Sequence, residues 1–372
     1  MNLTLLFLPL AVLFLAFSNG ANDNFKGVAT LFGSRTTDYR HALIWATGTT
    51  LAGSLTSLAV SQGLVTTFSG KGLVGEAVIS NTAFLLAVGL GAALTVMLAT
   101  ILGIPVSTTH ALTGALVGGG FVLAGGGNLA RLGTSFFLPL ALSPFLSLLL
   151  TAGLFPALRW CRLRLGVERH MCLCLDDEPP ALVQVEANGT VSLLASGLTL
   201  TADQVESCEE RYRGHLLGFD AQNLLDKLHF LSAGLVGFSR GLNDTPKIVA
   251  LLAAASGLGL SMSTGLSLVG VAMAIGGLVA ARRVAITISD GIVEMNHGQG
   301  FTANLATAFC VTVASRFGVP VSTTHVACGS LFGLGAVTGT ARWRMITRII
   351  LAWVVTLPVA AALAAGVALV VG

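Results

Sequence analysis

Two short motifs each occur twice in this chain, in the same order and at nearly the same separation. Gly20-Ala21-Asn22-Asp23-Asn24-Phe25-Lys26 matches Gly241-Leu242-Asn243-Asp244-Thr245-Pro246-Lys247 at an offset of 221 residues. Gly103-Ile104-Pro105-Val106-Ser107-Thr108-Thr109-His110 matches Gly318-Val319-Pro320-Val321-Ser322-Thr323-Thr324-His325 at an offset of 215. A fold for this chain must therefore be built from two copies of one unit, each carrying a buried-looking carboxylate and a run of three hydroxyls.

Both copies lie in apolar sequence. Of the 372 residues, 54% are hydrophobic and 10% charged, against about 25% charged in soluble domains. That excludes a soluble protein of this size, and a net charge of +3 with so much apolar content excludes disorder. The 45 glycines suit closely packed membrane helices. A bilayer-spanning helix takes about 20 apolar residues, and ten stretches qualify: about 3–33, 42–62, 80–102, 105–125, 134–158, 228–255, 264–281, 298–317, 319–338 and 345–371. The first reads as a retained helix rather than a secretory leader, since residues 1–25 hold no Lys or Arg.

These stretches give three parts: a first membrane repeat over 1–158, an insert over 159–227 and a second repeat over 228–372. The insert holds 11 of the 17 acidic residues. Within it Ala181 to Leu200 alternates around Asn188-Gly189, a hairpin signal. Five spans per repeat, an odd number, make the second copy enter the membrane the opposite way. The expected fold is an all-α polytopic membrane protein of two inverted-topology repeats, with broken helices or re-entrant hairpins and a small water-facing insert. Arg159, Arg162, Arg164 and Arg169 crowd the exit of the fifth span, which places the insert in the cytoplasm. Arg35, Arg40, Arg282, Arg283, Arg342, Arg344 and Arg348 then fall on the same side, leaving Lys71, Arg131 and Arg316 outside.

Gly-x-Pro interrupts one helix and starts another, so Ser107, Thr108, Thr109, Ser322, Thr323 and Thr324 sit at helix starts. Free N–H groups and the positive dipole end favour an anion there. Asp23 and Asp244 are the two acids that cannot be placed in a loop or near an interface, and a carboxylate at that depth lines a polar path or meets a cation. Gly20 and Gly241 permit unwound backbone, whose freed carbonyls could join the oxygens of Asn22, Asp23, Asn243 and Asp244 around Na⁺; a protonatable Asp could equally couple to H⁺. A purely internal ion pair is the competing reading. Lys26 and Lys247, three residues on, either form those pairs or add positive charge for an anion, and the sequence leaves both open. His110 and His325 read as proton carriers or as packing groups, and Arg240 as an auxiliary for the anion or for gating. Cys172-x-Cys174 beside His170 is not spaced as a zinc ribbon, and free thiols are expected. Phosphate-binding loops, nucleophile elbows and nucleic-acid motifs are missing, so neither an ATP-driven pump, an enzyme nor a DNA-binding protein is expected.

At these residues the chain resembles the inorganic phosphate transporter (PiT) family, whose members carry Gly-Ala-Asn-Asp and Pro-Val-Ser-Thr-Thr-His in each half. Ala281-Arg282-Arg283-Val284 and Gln299-Gly300-Phe301-Thr302-Ala303 extend the likeness; the insert lies outside it. The resemblance implies a homodimeric, multi-pass carrier in the cell membrane, surrounded by lipid. It would move inorganic phosphate with Na⁺ or H⁺ by alternating access, without a further metal or cofactor. It places phosphate on the six hydroxyls and the coupling cation on the two Asn-Asp pairs. One departure stands out: Asn24-Phe25-Lys26-Gly27 replaces the family's Val-Ala-Asn-Ala, setting an ammonium where an uncharged Asn is expected. Lys26 is therefore expected to stand in for a bound cation, so that the carrier is H⁺-coupled or needs fewer Na⁺. Cation occupancy should neutralise the carboxylates and so raise anion affinity. Sulfate is the alternative substrate, although it cannot donate a hydrogen bond to Asp23 or Asp244. An anion channel filtered by the hydroxyls, or an intramembrane metal hydrolase on the His and Asp residues, are the other classes.

Overall fold

Where water is scarce, apolar runs satisfy their backbone groups as helices, and the described chain is overwhelmingly helical. The computed structural model describes residues 3–70, 73–170, 184–185, 191–192, 211–213, 215–216, 219–254, 259 and 261–372. In the first half the helices are Leu3–Asp23 (α1), Ala29–Gly33 (α2), Tyr39–Val60 (α3), Gln62–Phe68 (α4), Glu76–Ile79 (α5), Thr82–Ile101 (α6), Thr108–Ala124 (α7), Leu129–Leu132 (α8) and Leu138–Arg164 (α9). The second half has Ala221–Ala254 (α10), Met262–Ala280 (α11), Arg282–Gly291 (α12), His297–Arg316 (α13), Thr323–Thr338 (α14) and Trp343–Val371 (α15). Two compact units result, one of residues 1–158 with 225–372, the other of 159–224. The second unit carries three two-stranded antiparallel pairs. One of them joins Gln184–Val185 to Val191–Ser192, flanking the expected hairpin, whose turn lies outside the described residues, as do Cys172, Cys174 and Cys208.

Among the described residues, Thr82–Ile101, Ala130–Arg164, Met262–Ala280 and Trp343–Val371 are each long and apolar enough to cross a membrane. The consecutive helices Tyr39–Ser57 and Gln62–Phe68, bent by 83°, make a fifth such stretch. The outer faces are apolar: Phe145, Leu146 and Leu149 on α9 and Leu351, Val354 and Val355 on α15 are exposed, as lipid contact requires. Near the polar end of α3 the Asp38 carboxylate accepts from the His41 N–H at 2.9 Å and sits against its ring. These bonds hold the acid below its usual range.

The first expected span is broken. α1 stops at Asp23, and a tight 3₁₀ turn over Asn24–Gly27 separates it from α2. Unwinding thus follows the aspartate instead of occurring at Gly20. In the second copy it is absent, because α10 runs unbroken through Gly241 and Pro246 for 34 residues. The glycines serve close approach instead. A Cβ on Gly20 would lie 1.9 Å from the Met273 carbonyl oxygen, and one on Gly276 would lie 2.0 Å from that of Phe17. The same paired contact recurs between α10 and α3: Gly241 against Thr50 O at 2.2 Å, Gly53 against Phe238 O at 2.0 Å. Two helix crossings are therefore made backbone to backbone, which brings both Asn-Asp motifs into the interior.

Overpacking one crossing should be costly. Gly276→Ala forces α1 and α11 apart and is expected to destabilise by about 1–3 kcal/mol. Gly153→Ala, whose Cβ meets nothing within 4 Å, should leave stability unchanged. Thermal unfolding of the detergent-solubilised protein compares the two.

Candidate functional site

The two hydroxyl motifs fold alike. Gly103 (φ 69°) and Gly318 (φ 66°) turn the chain out of α6 and α13, a conformation that glycine adopts without strain. Pro105 and Pro320 then lead an extended segment into the next helix start. Ser107 (φ −95°, ψ 114°) and Ser322 (φ −97°, ψ 119°) cap α7 and α14, each accepting from the His N–H three residues on, at 3.1 and 3.2 Å. The two serine hydroxyls are thus committed to capping, which leaves other first-turn donors of each helix free of an intrahelical partner. All six hydroxyl residues are buried.

The threonines tie the two copies together. Thr109 donates to the Val321 carbonyl at 3.2 Å, and Thr324 donates to the Val106 carbonyl at 2.7 Å. The positive ends of two helix dipoles therefore converge. Thr108 and Thr323 each donate to the aspartate of their own copy, Asp23 and Asp244, both at 3.4 Å.

Each lysine closes this arrangement from the side. Lys26 Nζ contacts the Asp23 carboxylate and the Thr324 hydroxyl, and donates to Val106 O at 3.0 Å and Asn22 Oδ1 at 3.3 Å. Lys247 Nζ donates to Val321 O at 2.6 Å, Thr109 Oγ1 at 2.8 Å and Asp244 Oδ1 at 3.4 Å. Each ammonium thus bonds the aspartate and the valine carbonyl of its own copy and the second threonine of the other. The asparagines hold the same frame. Asn22 donates to Thr100 Oγ1 at 3.0 Å and accepts from the Val106 N–H at 3.1 Å. Asn243 accepts from Ser315 at 3.3 Å and donates to Val321 O at 3.2 Å.

One pair of equivalent positions differs. Asn19, 221 residues before Arg240, donates to Asp23 Oδ2 at 3.2 Å, Asp244 Oδ2 at 3.4 Å and Thr108 Oγ1 at 2.9 Å. Arg240 donates back to Asn19 Oδ1 at 2.8 Å and to Asn24 Oδ1 at 3.0 Å, and reaches Thr50 Oγ1 at 3.2 Å. Its Nε lies 3.7 Å from Asp244 Oδ2 without a hydrogen-bond partner. Asn19 thus bridges both carboxylates, and Asp23, Lys26, Arg240, Asp244 and Lys247 are the only buried Lys, Arg, Asp and Glu among the residues whose burial is described.

The expected residues thus divide. The four Asn and Asp side chains, the four threonines, both lysines and Arg240 share one network. His110 and His325 stand beside it. Their rings pack edge to face with centroids 4.4 Å apart, and their Nδ1 atoms meet the carbonyls of Trp353 and Leu140 at 3.2 and 3.3 Å. Sequence reasoning passed over Asn19, Thr100, Ser315 and the two valine carbonyls. Asn19 and Thr100 are recoverable from the repeat offsets, as the partners of Arg240 and Ser315.

The model of the phosphate transporter family matches residues 19–364. A Rhizobium meliloti protein named "probable low-affinity inorganic phosphate transporter" is 29% identical, over 95% of this chain and 92% of its own. The chloroplastic inorganic phosphate transporter 2-1 of Arabidopsis thaliana is 27% identical, over 94% of this chain and 69% of its own. In fold, the chain is similar to a solved sodium-dependent phosphate transporter, with a TM-score of 0.75 over 99% of each chain at 22% identity.

The Asp23–Lys26 pair is fully buried. Asp23→Asn leaves the ammonium without its counter-charge and should destabilise by about 3–5 kcal/mol, most of which the second change Lys26→Met should recover. Thermal unfolding of the wild type, both single variants and the double variant measures this coupling.

Proposed function

The chain belongs to the phosphate transporter family, and from that premise we propose that it is a secondary active carrier of inorganic phosphate. It acts across the cytoplasmic membrane by alternating access, and its uphill step is coupled to Na⁺ or H⁺. The observation that carries this reading is the meeting of the two hydroxyl-bearing helix starts, joined by Thr109–Val321 and Thr324–Val106 hydrogen bonds. Two converging helix N-termini offer unpaired N–H donors and positive potential to an oxyanion. The threonine hydroxyls, which here donate to Val321 O, Val106 O and the two aspartates, turn to the anion when it binds, and the carboxylates of Asp23 and Asp244 accept the hydrogen bonds that phosphate, unlike sulfate, can donate at neutral pH.

The architecture proposed for the carrier is a pair of inverted repeats, 1–158 and 228–372. The exchange-symmetric bonding of Lys26 with Thr324 and of Lys247 with Thr109 supports it, as do the two equivalent glycine crossings. Rocking of one repeat against the other then exposes the helix starts to either side in turn. The arginine-rich exit of the fifth span supports a cytoplasmic insert over 159–227, and a homodimer is the assembly proposed.

Two measurements test this. Reconstituted into proteoliposomes, the protein should accumulate radiolabelled phosphate uphill under an imposed cation gradient, and excess sulfate should fail to block it. Loss of uptake to sulfate would move the assignment to sulfate, and downhill flux alone would make it a channel. Thr108→Val and Thr323→Val each remove one donor beside the anion and should raise the KM for phosphate about tenfold, with little change in kcat.

A further inference from the structure

Beyond the identity of the anion, the cluster bears on which cation can accompany it. The oxygens around Lys26 Nζ are a carboxylate, an amide, a main-chain carbonyl and a hydroxyl, from Asp23, Asn22, Val106 and Thr324. Around Lys247 Nζ they are a carboxylate, a carbonyl and a hydroxyl, from Asp244, Val321 and Thr109. These are the donor types that a hard metal cation such as Na⁺ selects. Here each set is already filled by an ammonium, whose three protons have at least three acceptors. A Na⁺ ion at either position would have to expel the lysine or sit in direct contact with its charge. The residues present therefore do not fit bound Na⁺.

Charge counting agrees. Each repeat contributes one aspartate and one lysine to the buried cluster, a neutral pair. The odd charge comes from Arg240, whose counterpart in the first repeat is the neutral Asn19. With all five groups ionised the cluster carries +1 before any cation binds. An added Na⁺ would raise a buried positive charge further, whereas one monovalent oxyanion cancels it.

We propose that Lys26 and Lys247 are resident cations, occupying both carboxylate-lined positions permanently, so that this carrier moves its oxyanion without Na⁺. This extends the sequence-based expectation for Lys26 to both repeats. The transport consequence rests on the carrier reading above; the occupancy of the two positions does not.

Binding and flux measurements separate the two. Purified wild-type protein should show no saturable ²²Na⁺ binding and no Na⁺-dependent rise in Tm, since a ligand that binds the folded state raises stability. In proteoliposomes at fixed pH gradient, replacing Na⁺ by choline should change phosphate uptake by less than about twofold. The variant Lys26→Asn with Lys247→Asn should lose about tenfold or more of that uptake in choline and regain it in Na⁺. Saturable ²²Na⁺ binding to the wild type, or wild-type uptake that collapses in choline, overturns the proposal. Should the double variant fail to fold, the wild-type binding measurement decides alone. If the wild type moves no phosphate under any gradient, the carrier reading fails, and ²²Na⁺ binding still judges the lysines.

Discussion

Among the residues whose burial is described, five Asp, Lys and Arg side chains lie out of reach of solvent in a protein whose outer faces are apolar, and the structure is arranged around keeping them paired. An isolated carboxylate or ammonium in such surroundings is far costlier than any single packing contact can offset. Asp23 and Asp244 must therefore meet cations, and the lysines must find oxygens beyond those carboxylates. The helix breaks supply them. A continuous helix has no spare carbonyl in its middle, whereas the extended segments before Ser107 and Ser322 leave Val106 O and Val321 O free to accept from the ammonium groups. The glycine crossings hold α1 against α11 and α10 against α3, and Asn19 on α1 bridges the aspartates of α1 and α10.

How much of this was legible in the sequence depended on whether the determinant was a side-chain pattern or a tertiary contact. The helical membrane class followed from composition and apolar run length. The motif duplication located both aspartates, both lysines and the hydroxyl helix starts, and glycine followed by proline correctly marked the breaks before α7 and α14. Gly20 and Gly241 misled, because a glycine chosen for close approach looks the same in sequence as one chosen for unwinding. In α10 the neighbouring helix α3 packs onto Gly241 and keeps it helical, and Pro246 is accommodated without a break. The valine carbonyls were invisible because every residue carries one, and only the fold decides which is left unpaired. The spacing of three between aspartate and lysine allowed the ion pairs without deciding for them, and gave no hint that each ammonium reaches a threonine of the opposite repeat.

In the proposed alternating-access carrier, that crossing of partners bears on how the two repeats would move. Four hydrogen bonds link the repeats at the helix starts: Lys26 to Thr324, Lys247 to Thr109, Thr324 to Val106 and Thr109 to Val321. Any displacement that separates α7 from α14 breaks all four together and strips each lysine of one oxygen while leaving its own aspartate in place. An oxyanion bound between the helix starts, as proposed, would replace those oxygens with its own and satisfy the same ammonium protons. In the proposed carrier the loaded site would therefore lose less on opening than the empty one, and that difference in free energy would tie movement of the repeats to substrate occupancy. The asymmetric Arg240–Asn19 contact lies outside this exchange: it holds Arg240 by neutral oxygens and keeps the cluster's one surplus charge in place whichever partners the lysines have.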